Sequence, residues 1–238
     1  MTGDLSALRP PLLVGVATRV ETVHRVAAQG AGDLDVLEAR VDLFQEPEVA
    51  SWAEACARLE AAGTRVLVTI RSALEGGRWT RPDADRLPLY VEALGAASWV
   101  DVEAASPIAR EVAAAAHARG RMAVLSHHDF QKTPPLAELE RVIASCRAAG
   151  ADVAKVATKV TTPEDRETLF ALLRAHPTAT CVIGMGEEGL RVELAARGSL
   201  LAYAYLDTPT APGQPSVGEL DARLRAASPA YAARRASG

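Results

Sequence analysis

Apolar residues along the chain fall into short runs, and longer stretches with helical spacing separate them. Eight runs read as strands, over 12–17, 35–43, 65–71, 99–103, 121–128, 152–158, 180–185 and 200–205. Between them a period of 3.6 predicts helices over 52–62, 87–96, 107–119, 136–149, 163–175 and 190–196, with a shorter one within 22–30. Ser51 with Glu54 and Ser216 with Glu219 have the spacing of reciprocal helix caps. Ser106-Pro107 and Thr162-Pro163 place a capping residue before a proline, and Gly63, Gly120 and Gly150 stand where helices should stop. The segment from about residue 228 to 238 is expected to fray. Strands that alternate with helices must each return to the same end, so the sheet is parallel. Eight such units predict an α/β protein with a single (β/α)8 TIM barrel spanning 1–238, whose chemistry sits at the C-terminal strand ends. An open, doubly wound sheet would show the same order of elements.

Composition narrows the classes. A barrel of this kind takes roughly 250 residues, and the chain has 238. An apolar content of 49% excludes intrinsic disorder, and a net charge of −4 argues against a nucleic-acid partner. Aromatics are only 4%, so the core must be built from Val, Leu, Ile and Ala. Cys56, Cys146 and Cys181 are odd in number and far apart, which argues against a disulfide framework and against a zinc site. No apolar run approaches the roughly 18 residues of a membrane span, and the N-terminus lacks the features of a signal peptide. The cytoplasm is the expected compartment, with no membrane association.

Polar residues within buried strands carry the chemistry. In D-V-L-E-A-R-V-D-L, Glu38, Arg40 and Asp42 share one face, because strand side chains alternate. Inside a barrel three such charges need mutual pairing or a ligand; on an edge strand they would simply be solvated. Arg71 ends an apolar run and has the fork that clamps a carboxylate or phosphate. Glu75 lies on the following loop, where a solvated role is the ordinary one. Asp101 and Glu103 repeat the alternation. Of the adjacent His127 and His128 only one can face inward, and His128 shares its face with Ser126 and Val124. Lys155 stands in the middle of an apolar strand. Burial disfavours the charged form of an amine, and a neutral amine attacks a ketone to give a Schiff base; alternatively the strand ends early and the lysine snorkels. Lys159 is the more ordinary, solvated lysine.

Six segments, in order, carry a resemblance. L-E-A-R-V-D-L-F, T-I-R-S-A-L-E-G-G-R, V-D-V-E, L-S-H-H-D-F-Q-K-T-P, G-A-D-V-A-K-V-A and T-A-P-G-Q-P-S-V are similar to motifs of the type I 3-dehydroquinate dehydratases of the shikimate pathway, with Ala39 for the usual Trp and Thr210 for the usual Ser. The resemblance implies a cofactor-free and metal-free lyase that dehydrates 3-dehydroquinate to 3-dehydroshikimate. Lys155 would form the imine, His128 would act as general base and acid, and Glu75 would orient it. Arg71 would bind the substrate carboxylate, and Glu38, Arg40, Thr210 and Gln214 would complete the substrate site, the last two from a lid-like loop. A homodimer is also implied. One stretch departs. The family carries M-G-x-x-G-x-x-S-R, and here Val192 and Glu193 fall on the Ser-Arg positions. In the family that Arg helps hold the carboxylate; Arg191, two residues earlier, would substitute for it if the helix starts differently, but on a regular helix it lies about 200° from Glu193 and is expected to face away. This departure leaves open a related Schiff-base lyase or aldolase acting on a less anionic oxo compound, and a non-catalytic paralogue that binds intermediates.

Overall fold

The computed structural model describes residues 8–45, 49–187 and 189–236. Its strands are β1 Leu12–Ala17, β2 Val36–Arg40, β3 Arg65–Thr69, β4 Trp99–Glu103, β5 Met122–Asp129, β6 Val153–Lys159, β7 Thr180–Met185 and β8 Leu201–Tyr205. Its helices are α1 Val20–Gln29, α2 Ala53–Ala61, α3 Arg86–Ala93, α4 Ala109–His117, α5 Leu136–Ala148, α6 Pro163–Ala175, α7 Leu190–Ala196, α8 Val217–Ala227 and α9 Pro229–Ala236. All strand pairs are parallel, in the order β7-β6-β5-β4-β3-β2-β1-β8. Sequential strands thus neighbour one another and β8 returns to β1, which makes a nearly closed (β/α)8 barrel rather than a doubly wound sheet.

The last edge closes differently from the others. Leu200 N donates to Thr180 O at 2.9 Å. Beyond that point the Ser199 hydroxyl takes over, accepting from Val182 N at 2.9 Å and donating to Val182 O at 3.1 Å. A buried side chain thus satisfies the backbone groups that a strand neighbour would otherwise pair.

Alternation along the strands sorts the residues into two cores. Leu13, Leu37, Val68, Val102, Leu125 and Val156 face outward and pack beneath the helices. Leu12, Val36, Leu67, Trp99, Met122 and Val153 face inward and fill the N-terminal part of the barrel. Farther along the same inner faces the residues turn polar: Glu38 and Arg40, Asp101 and Glu103, Ser126 and His128, and Lys155. The strands themselves therefore deliver charged groups to the C-terminal mouth.

Several expectations need correction. β2 stops at Arg40, and Val41–Leu43 form a 3-10 turn. Asp42 therefore does not continue the inward face; its carboxylate folds back onto Arg40 instead. β3 ladders only to Thr69. Ser51 sits in a 3-10 turn and α2 starts after Trp52, without a side-chain cap bond. α4 starts later than expected, with its N-cap at Ile108; the Ser106 hydroxyl accepts from Ile108 N at 3.4 Å, and it also donates to Asp83 at 2.6 Å and accepts from Arg86 at 3.3 Å. By contrast Thr162 with Asp165 and Ser216 with Glu219 form reciprocal caps. The tail expected to fray instead forms α9 as far as Ala236: Tyr231 is buried, and Arg234 and Arg235 pair with Asp35 at 3.0 and 2.5 Å. Residues 237 and 238 lie outside the described residues. Among the described residues no helix is long and apolar enough to cross a membrane.

Candidate active site

At the C-terminal mouth a cavity open to solvent gathers Glu38, Arg40, Arg71, Glu75, His128, Lys155, Thr210 and Gln214. All eight sequence-predicted site residues line it. So do Tyr203, which alternation on β8 turns inward, and Arg191 of α7. Among the described residues no group of three or more His, Cys, Asp or Glu side chains is placed to hold a metal.

The cavity's wall from β3 to β6 is an ion network. Lys155 Nζ donates to Asp101 Oδ2 at 2.9 Å and lies 4.2 Å from the centre of the Tyr203 ring. Asp101 Oδ1 accepts from Arg71 at 2.7 Å and from the Ser126 hydroxyl at 2.6 Å. Arg71 also donates to Glu103 at 3.1 Å and to Ser126 at 2.8 Å. Glu103 in turn accepts from Ser72 N at 2.7 Å and from Arg86 at 2.8 Å. Burial alone would push Asp101 up, but Arg71 and then Lys155 hold it down at about 2. Both Nη atoms of Arg71 have protein acceptors, so the carboxylate clamp expected of it is already filled by Asp101 and Glu103. Arg86, fully buried, has no signature in the sequence; an arginine in the first turn of a helix gives no signal of inward pointing.

Beside the lysine, on the neighbouring strand β5 and the loop after β3, stands a second pair. Glu75 Oε2 accepts from both His128 Nδ1 and His128 N, each at 2.9 Å. With Nδ1 donating, Nε2 carries the lone pair and can serve as a base. Burial, reinforced by Arg71 and Lys155, pushes the imidazole well below its ordinary range, so it is neutral at pH 7. Burial also pushes Glu75 up, to about 7, against the pull of Arg71. The two glycines after Glu75 make this loop possible. Gly76 is left-handed, with φ +79°, and a Cβ there would strike the Phe130 ring at 2.5 Å. At Gly77 a Cβ would lie 2.0 Å from the Arg71 carbonyl oxygen.

The remaining expected groups are held more lightly. Glu38 accepts from the Thr69 hydroxyl at 2.7 Å. Arg40 makes a two-point pair with Asp42, at 2.9 Å for each bond. On the loop after β8, Gln214 Oε1 accepts from Thr210 N at 2.7 Å and from its hydroxyl at 3.0 Å, which leaves the Gln214 amide nitrogen as a donor. Helix α7 turns the other way from the sequence expectation. Glu193 faces outward onto α6, where Arg166 donates to it at 2.5 Å. Arg191, about 200° around the helix, is thereby aimed into the cavity. The angular offset was right and the phase reversed.

A parallel eight-stranded barrel with an amine, an imidazole–carboxylate pair and an arginine at its C-terminal mouth defines a class of barrel enzymes. The profile of type I 3-dehydroquinase matches residues 14–229, and the chain belongs to this family. It is 33% identical over 233 residues to the 3-dehydroquinate dehydratase of Methanosarcina barkeri, covering 91% of this chain and 94% of that one. With the enzyme of Thermococcus gammatolerans it shares 34% over 213 residues, 88% of this chain and 95% of that one. Among solved structures, the 3-dehydroquinate dehydratase of Geobacillus kaustophilus superposes with a TM-score of 0.77 at 25% identity, over 90% of each chain. The type I enzyme of Clostridium difficile, solved with covalently modified comenic acid, gives 0.75 at 25% identity, over 91% of this chain and 92% of that one.

Proposed function

We propose that the chain dehydrates 3-dehydroquinate to 3-dehydroshikimate through an imine on Lys155. The observation that carries this reading is a buried lysine sharing its cavity with an imidazole that bonds Glu75 through Nδ1, in a chain of this family. The amine of Lys155, its proton passed to His128, attacks the ketone carbon; His128 returns that proton as the carbinolamine loses water, which leaves a protonated imine and a neutral imidazole. That imine draws electrons from the adjacent carbon–hydrogen bond, and His128 Nε2 takes the proton. As the carbon–carbon double bond forms, the hydroxyl on the next carbon leaves with the proton carried by His128, as water. Hydrolysis of the imine releases the enone and restores Lys155, so one water leaves overall. Glu38, Arg40 and Gln214 would contact the substrate hydroxyls.

Glu193 motivated a different, less anionic substrate. Its carboxylate engages Arg166 outside the cavity, so it presents no acid to the substrate, and the dehydratase reading is favoured. The test is borohydride reduction in the presence of 3-dehydroquinate, followed by mass spectrometry. The expected result is a stable adduct on Lys155, together with a rise in enone absorbance in untreated enzyme. In Lys155→Ala the adduct is lost and turnover falls by about 10⁴-fold or more. Full turnover by that variant would overturn the mechanism.

A further inference from the structure

We propose that Arg191 and the Tyr203 hydroxyl together form this chain's subsite for the carboxylate of its substrate, a role that rests on the dehydratase reading above. Arg191 is only 7% exposed and Tyr203 4%, and both line the cavity that holds Lys155 and His128. Arg191 Nε and Nη2 and the Tyr203 hydroxyl are buried without hydrogen-bond partners. Every other buried arginine of the cavity wall has a carboxylate: Arg40 has Asp42, and Arg71 has Asp101 and Glu103. Among the described residues no carboxylate pairs with Arg191.

An unpaired buried cation is costly, because water has been removed and nothing replaces it. Burial draws Arg191 down to about 10, and at neutral pH it is still cationic. Such a group beside an unsatisfied hydroxyl is complementary to a planar oxyanion, which can take two guanidinium N–H bonds and one O–H bond. Position 193, where a sequence match expects an arginine, holds an acid whose partner lies outside the cavity. Glu193 and Glu187 both bond Arg166 of α6, and this clamp fixes the rotation of α7 that sends Arg191 inward. Leu190 seats the same helix on β7 at Gly184, where a Cβ would come within 2.4 Å of its side chain.

Three variants, Arg191→Gln, Arg191→Met and Tyr203→Phe, test the assignment. In steady-state turnover of 3-dehydroquinate, Arg191→Gln is expected to raise KM about 100-fold, and Tyr203→Phe about 10-fold, with smaller changes in kcat. Wild type is expected to prefer 3-dehydroquinate strongly over its methyl ester, and Arg191→Gln to lose most of that preference. Arg191→Met, which removes an unpaired buried charge, is expected to raise the Tm of the ligand-free protein, whereas a merely structural arginine would lower it. A hydroxylated cyclohexane carboxylate without a ketone, titrated by calorimetry, reads the subsite independently of imine chemistry. Its affinity should fall at least 10-fold in Arg191→Gln. Equal affinity of that probe in wild type and variant, or an unchanged preference for acid over ester, overturns the proposal. Absence of a borohydride adduct in wild type, with the probe still discriminating, would instead overturn the dehydratase reading alone.

Discussion

The two sides of the barrel mouth treat charge in opposite ways. From β2 to β6 every inward cation is matched: Arg40 by Asp42, Arg71 by Asp101 and Glu103, and Lys155 by Asp101. From α7 to β8, Arg191 Nε and Nη2 and the Tyr203 hydroxyl are buried with no hydrogen-bond partner among the described residues. The matched side holds its geometry with the cavity empty, because each group is fixed by at least one other. The unmatched side stores an electrostatic demand that only a bound anion meets. Catalytic placement and ligand affinity are thus built into different walls, and each can be broken without the other.

The largest effect is expected from breaking the matched side at its centre. Asp101→Asn leaves Lys155 with a neutral partner and Arg71 with Glu103 as its remaining carboxylate, and should cost about 3–5 kcal/mol in chemical denaturation. The sign with pH follows from Asp101, held at about 2 against an ordinary 3.8. A carboxyl held low contributes stability above 3.8 and loses it as pH falls through 2. The gap between wild type and variant should therefore close over that window, and a constant gap would show that charge is not the cause.

Next comes the imidazole. His128→Gln should lower kcat by about 10²–10⁴-fold with little change in Tm. Because burial holds the imidazole low, wild-type turnover should persist as pH falls through 6.5, the ordinary histidine value. Glu75 titrates close by, at about 7, so a loss of rate centred there that persists in Glu75→Gln would mean that His128 is an ordinary solvated base. The smallest effect belongs to neither wall. Ser199→Ala orphans Val182 N and O at the β7–β8 edge and should cost about 1–3 kcal/mol, with KM for substrate nearly unchanged. A larger shift in KM would tie barrel closure to the unmatched wall.

Much of the matched side was legible in the sequence, for a simple reason. Alternation on a strand fixes the direction of a side chain, so Glu38, Arg40, His128 and Lys155 could be aimed inward from spacing alone. Turns obey no such rule. Asp42 left its expected face because the strand ended at Arg40, and Ser51 lost its capping role to 3-10 geometry that its spacing does not encode. Helix phase was the other blind spot. Residues 191 and 193 were placed on opposite sides correctly, but which side faced the cavity depended on Arg166 in α6, 27 residues before Glu193. Arg86 reaches Glu103 from a helix, and only the folded chain brings them together.

The serine-closed edge has a bearing on motion. Seven edges of the sheet are stitched by continuous ladders, and the eighth hangs, among the described residues, on one backbone bond, the Ser199 hydroxyl and a contact from Cys181 Sγ to Leu201 O. A rolled ribbon fastened this lightly parts first along its fastening, so local opening and early amide exchange belong to β7 and β8. The same two strands lead into α7 and into the loop bearing Thr210 and Gln214. Breathing of the tube and entry to its mouth therefore share one hinge line.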